Sequence, residues 1–161
     1  MIKVRLQIAD GEIFDTYDKW GLIYVSSDNR TEAPIKSRES TQYAEEPGEH
    51  IDNRTLPDAF DYKVNFVIEA ENKDTTNANA KIAELNKALY ATSGDVRKYQ
   101  QVTFYNDYKR VKIVGLPSPI SEPKDFYRRA NGDALDCVQV EFTIRVSNPT
   151  LCDFDLKTEQ Q

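Results

Sequence analysis

The sequence predicts a mainly β, α+β domain: an antiparallel β-sandwich with one packed α-helix at about 76–91 and a long extended arm or loop at about 27–58. Three observations carry this. Two long stretches alternate apolar and polar residues. One stretch repeats apolar residues at helical spacing. A third, between two strand candidates, has almost no large apolar residues.

In chain order, residues 2–8 alternate as a strand, and GLIYVS at 21–26 reads as another. From Ser27 to Pro57 the only large apolar side chains are Ile35, Tyr43, Ile51 and Leu56. So polar a segment buries too little surface to fold alone, and long loops of this kind are often functional or bound to a partner. It is expected to extend from the domain and lean on something else.

FDYKVNFVIEA at 60–70 places Phe60, Tyr62, Val64, Phe66, Ile68 and Ala70 on one face. That is the period of two of a half-buried antiparallel strand. Residues 137–147 repeat it with Val138, Val140, Phe142, Ile144 and Val146 inward. Between them Ala78, Ile82, Leu85 and Leu89 form one helical stripe. Thr75 or Thr76 can cap its start, and Ser93-Gly94 can supply a left-handed turn after a stop near Ala91. QVTFY at 101–105 and RVKIVGL at 110–116 flank a turn, Asn106 to Lys109. Pro117, Pro119 and Pro123 predict an irregular connection, and Asn131-Gly132-Asp133 a turn into the last strand. One domain over 1–150 is expected, with a flexible tail at 151–161.

Net charge is −6, and the basic residues are scattered, the densest groups being Lys109-Arg110 with Lys112, and Arg128-Arg129. Non-specific nucleic-acid binding needs a basic surface to displace counterions, so none is expected. No apolar run is long enough to span a bilayer, and the N-terminus lacks the pattern of a secretion signal. No membrane partner is expected. Cys137 and Cys152 form no CxxC and have no histidine nearby, which predicts two reduced thiols without structural zinc.

The single histidine, His50, lies in YAEEPGEHID beside Glu45, Glu46, Glu49 and Asp52. Acid–base catalysis would need a cleft and an oriented partner, no GxSxG is present, and the carboxylate spacing does not match a calcium loop. Pro47-Gly48 is a strong turn dipeptide, so an exposed turn is the favoured reading. Catalytic, cofactor-binding and metal residues are all expected to be absent. Trp20 before Gly21 is either a core residue or an interface anchor, and several of the nine tyrosines fall near loops or strand edges.

The order of these features resembles the N-terminal domain of the phage distal tail (Dit) family. The residues that carry the resemblance are Trp20-Gly21-Leu22, Pro47-Gly48, Asp52, Arg54 and Asn148-Pro149, spread over roughly residues 12–150. His50-Ile51 replaces the second glycine region of the family's loop, and the last strand is followed here by only a short tail. The resemblance implies a ring-forming, non-enzymatic subunit of a siphophage-type tail that joins the tail tube to the baseplate hub. It implies a homo-oligomer, a six-fold ring, with tube, hub and tape-measure proteins as neighbours. It also implies a place in the virion tail after assembly in the bacterial host cytoplasm. The expected interface residues are Trp20, Tyr24, Tyr43, Pro47, Arg54 and Tyr108, the last on the exposed 101–116 hairpin. Other readings are another tail-tube or tail-completion component, a carbohydrate-binding β-sandwich that stacks sugars on Trp20 and tyrosines, and a hydrolase built on His50.

Overall fold

Strict alternation becomes paired strand where the sequence predicts it. The computed structural model describes residues 2–36, 40–41, 44, 47–48, 50–51, 56–69, 76–120, 123–130 and 133–157. Strands β1 (Val4–Ile8), β2 (Ile13–Asp15), β3 (Ile23–Ser27), β6 (Phe60–Glu69), β9 (Val102–Asn106), β10 (Val111–Pro117) and β12 (Asp133–Val146) form one antiparallel path. Its order is β2-β1-β9-β10-β12-β6-β3, and β11 (Lys124–Ala130) pairs with β12. The two longest alternating stretches lie side by side, from Cys137 opposite Glu69 to Val146 opposite Phe60.

The path folds on itself at β10. Val111–Gly115 pair with β9, whereas Leu116 and Pro117 pair with β12. A strand that changes partners in this way makes the corner between two packed layers. The layers meet across the core: Tyr62 on β6 and Phe104 on β9, three strands apart in the order, lie 6.2 Å centroid to centroid. Both are fully buried.

Helix α2 (Thr76–Ala88) buries Ala78, Ile82 and Leu85, with Leu89 just beyond its end. The side-chain amide of Asn86 donates to the Ile120 carbonyl and accepts from the Ile120 amide, both at 3.0 Å. This pair ties the helix to the proline-containing connection after β10. Among the described residues no helix is long and apolar enough to cross a membrane.

Several expectations are corrected. The helix ends at Ala88, not near Ala91. Leu89 continues the apolar stripe, but its carbonyl accepts from the Gln100 amide and closes a separate hairpin, β7 (Tyr90–Ser93) and β8 (Val96–Tyr99). Gly94 does take a left-handed φ of 61°, but in that hairpin turn and not at the helix end. Thr76 is already helical, and Thr75 lies outside the described residues.

The Trp20-Gly21 step closes a short helix, α1 (Thr16–Trp20), that the sequence reading missed. The Asp15 carboxylate caps it by accepting from the Tyr17 and Asp18 amides. Gly21, at φ 69°, turns the chain out, and its amide and that of Leu22 bond back to the Tyr17 and Thr16 carbonyls. Strand β11 was also missed, and β12 starts four residues before the predicted strand. The predicted turn residues Asn131 and Gly132 lie outside the described residues.

The stretch after Pro149 was expected to be loose. Through Leu156, whose amide donates to the Arg110 carbonyl, it is docked. Lys112 and Asp153 exchange two backbone hydrogen bonds, of 2.7 and 2.9 Å. Phe154 packs against Phe60 at 6.2 Å. Apolar side chains at Cys152 and Phe154 give this segment something to bury, which the polar residues around them concealed.

Candidate functional site

The polar segment after β3 leaves the sheet beside the start of β6 and the 106–110 turn, and its root is held by named contacts. Ser27 ends β3. Its hydroxyl shares a hydrogen bond of 2.8 Å with Tyr24 and accepts one of 3.1 Å from Tyr62. Asp28 and Lys63 pair twice: the Asp28 amide donates to the Lys63 carbonyl and the Lys63 amide to the Asp28 carboxylate, both at 3.1 Å. The Arg30 guanidinium lies 4.7 Å above the Phe60 ring. Lys109, from the turn between β9 and β10, donates to the Ser27 carbonyl at 2.6 Å and to the Asn29 side chain at 2.7 Å.

Beyond this root the segment becomes a two-stranded ribbon. Ile35 bridges Pro57, the Lys36 amide donates to the Leu56 carbonyl, and the Asp58 amide to the Pro34 carbonyl. Further out, β4 (Ser40–Thr41) pairs antiparallel with β5 (His50–Ile51). Pro47 and Gly48 therefore fall in the connection between the two legs, and Gly48 has the positive φ, 81°, that its place in the sequence predicts. Ile35 is half exposed and Leu56 63% exposed. Cross-strand neighbours share a face and successive residues alternate. Ile35 and Pro57 thus lie on one face of the ribbon and Leu56 on the other.

The predicted site residues separate into three groups. Pro47 and Tyr108 are exposed, Tyr108 to 71%. Tyr24 and Trp20 are buried, with Trp20 edge-on to Phe14 at 5.9 Å and 1% exposed. Trp20 is therefore a core residue, and its ring offers no open face to a partner or to a stacked sugar. Tyr24 contributes instead through its hydroxyl at the arm root. Tyr43 and Arg54 lie outside the described residues. His50 stands in β5, in the leg of the ribbon that returns from the Pro47-Gly48 connection.

Sequence reasoning missed the 107–110 turn as a junction. Asp107 pairs with Arg5 at 3.1 Å. Lys109 holds the arm root, and Arg110, at φ 57°, reaches Asp155 at 2.9 Å and the Leu156 carbonyl at 3.2 Å. The signal available in the sequence was the basic group Lys109-Arg110, which reads equally well as a solvated turn.

A cleft of about 390 Å³ opens near the end of α1, lined by Tyr17, Asp18, Gly21, Ile23, Ile68, Glu69 and Lys81. Its lining mixes the apolar Ile23 and Ile68 with charges of both signs, Asp18, Glu69 and Lys81. Among the described residues two titratable groups depart from their usual range. Burial pushes the Tyr62 phenol up to about 12, opposed in part by its bond to Ser27. Burial also raises the Cys152 thiol, against the Val114 backbone hydrogen bond and the Lys112 charge. Cys137 is buried and Cys152 half-buried, and no disulfide joins them. Among the described residues no three His, Cys, Asp or Glu side chains group as metal ligands.

No protein-family model matches the chain, and no curated protein matches it.

Proposed function

We propose that the chain is a structural, non-enzymatic subunit of a phage or prophage tail: a ring-forming distal tail protein that joins the tail tube to the baseplate hub. The observation that carries this reading is the ribbon arm. It is rooted by at least five contacts at one end of the sheet and carries exposed apolar residues on both faces. Such a ribbon gains stability from a neighbour that covers it. A closed ring needs heterologous contacts, in which one patch of a subunit meets a different patch of the next. An arm that leaves its own sheet for the next subunit is such a contact.

Among the described residues the outer edges of β2 and β3 carry no partner strand and add further surface, since an unpaired edge can accept another strand. The net charge of −6 suits a ring through which DNA passes, because like charges repel. The neighbours are further copies of this chain and the tube, hub and tape-measure proteins of the tail. The order of sequence features, similar to the Dit N-terminal domain, supports the same assignment.

The test is assembly with and without the arm. Pro34 and Asp58 are hydrogen-bonded neighbours, so a short Gly-Ser linker can replace the residues between them without moving the domain. The parent forms annular particles of several subunits, and the armless variant stays monomeric with its fold intact. A parent that stays monomeric at every concentration overturns the reading.

A further inference from the structure

We infer that Lys109 is a latch that sets the direction in which the arm leaves the domain. The inference rests on the proposed role of the arm, but its geometry belongs to the single chain. Arm-internal and arm-to-body contacts are separate sets of bonds. The ribbon is held to itself by the Lys36–Leu56 and Asp58–Pro34 backbone bonds. It is held to the body by Asp28 on Lys63, Arg30 on Phe60 and Lys109 on Ser27 and Asn29. Among the described hydrogen bonds and ring contacts, those of Lys109 are the ones that reach the arm from outside its flanking strands, β3 and β6.

Lys109 is also placed for this. Its own amide donates to the Asn106 side-chain oxygen at 3.1 Å, and Asn106 is fully buried, so the base of the lysine is fixed to the core. Its ammonium then grips a backbone carbonyl and a side chain two residues apart, which fixes the path of the arm as well as its position. Charge-assisted bonds of 2.6 and 2.7 Å are the short, strong kind. The next residue, Arg110, grips the C-terminal segment at Asp155 and Leu156. One turn thus indexes both the arm and the C-terminal segment to the same corner of the sandwich. A subunit whose arm must find a fixed place on a neighbour benefits from such an index, because orientation settled before contact is not lost on binding.

The experiment compares amide hydrogen exchange in the parent chain, Lys109→Met and Lys87→Met. Lys109→Met keeps most of the side-chain stem and removes the ammonium. Exchange at the Asp28 amide, which bonds arm to body, rises on the order of tenfold, the effect of losing about one charge-assisted hydrogen bond. The Lys36 and Asp58 amides, internal to the ribbon, and the Phe66 amide in β6 keep their parental rates. Lys87→Met, which removes the same charge from the exposed face of α2, leaves Asp28 unchanged. An unchanged Asp28 rate in Lys109→Met overturns the latch. So does a rise of equal size at Asp28 and Phe66, which would mean that the whole domain had loosened. Exchange in the single chain decides the latch whether or not rings form, and annular particles decide the assembly reading separately.

Discussion

Replacing Gly115 with alanine puts a methyl group where β10 passes from β9 to β12. An added Cβ would run into the Arg145 carbonyl oxygen, and would lie 2.8 Å from both the Arg145 carbonyl carbon and the Ile144 Cγ2. Carbon atoms rest at about 3.5–4.0 Å, so these two approaches are too close by roughly 0.7 Å or more. The main obstacle is backbone and not the tip of a flexible side chain. Relief requires β10 to move away from β12, and the Leu116–Arg145 pair is the first ladder contact to suffer. Overpacking of this kind costs about 1–3 kcal/mol, and a weakened ladder bond adds about 1 kcal/mol. The lost freedom of the unfolded chain returns roughly 0.5 kcal/mol. The expected net cost is about 1.5–3.5 kcal/mol, which for a domain of this size lowers Tm by roughly 3–14 °C. Urea unfolding followed by circular dichroism measures it as a lower midpoint with an unchanged slope. A change under about 0.5 kcal/mol would refute the corner geometry, because a strand free to yield there is not held between two layers.

Two further perturbations test the interior. Tyr62 releases its proton near 10.0 when unfolded and near 12 when folded, so the native state binds more protons across that window. Stability is whole below about pH 10 and falls by roughly 2–3 kcal/mol as pH rises through the window. Tyr62→Phe removes this step at a cost of about 1 kcal/mol at neutral pH, and the difference between the urea midpoints of the two proteins at pH 8 and pH 11.5 measures it. Leu85→Ala empties a buried position under α2 and should cost about 2–5 kcal/mol. Lys87→Ala, on the exposed face of the same helix, should stay within about 0.5 kcal/mol in the same urea assay.

The parts of the fold legible in the sequence are those where one face is apolar over many residues. Strands β6 and β12 declare themselves because five alternate positions on each are apolar. The helix declares itself through a four-residue stripe, which also misleads at its end: Leu89 is buried, so periodicity runs past the last helical residue. Elements without such a face leave no period to read. In KDFYRRA, the sequence of β11, both alternating sets mix charge and aromatic residues. Strands β7 and β8 are polar and, among the described residues, pair only with each other. The five residues of α1 make little more than one turn, too short for a stripe.

The candidate site was legible as a gap, a polar segment too long to be a simple loop, and its Pro47-Gly48 turn was legible from residue chemistry. Its root was not. Tertiary contacts such as Lys109 to Ser27, 82 residues apart, leave no local pattern in a sequence. Trp20 shows the converse error: a residue type enriched at interfaces is here committed to the core, packed against Phe14 behind the turn at Gly21.

In the proposed ring the arm joins one copy of the chain to the next. The most direct measurement is solution mass by light scattering over a concentration series, with electron micrographs of the same samples, for the parent and for the variant in which a linker joins Pro34 to Asp58. Annular particles of several subunits are expected for the parent and a folded monomer for the variant. A parent that is monomeric throughout, or rings that form equally well without the arm, would contradict it.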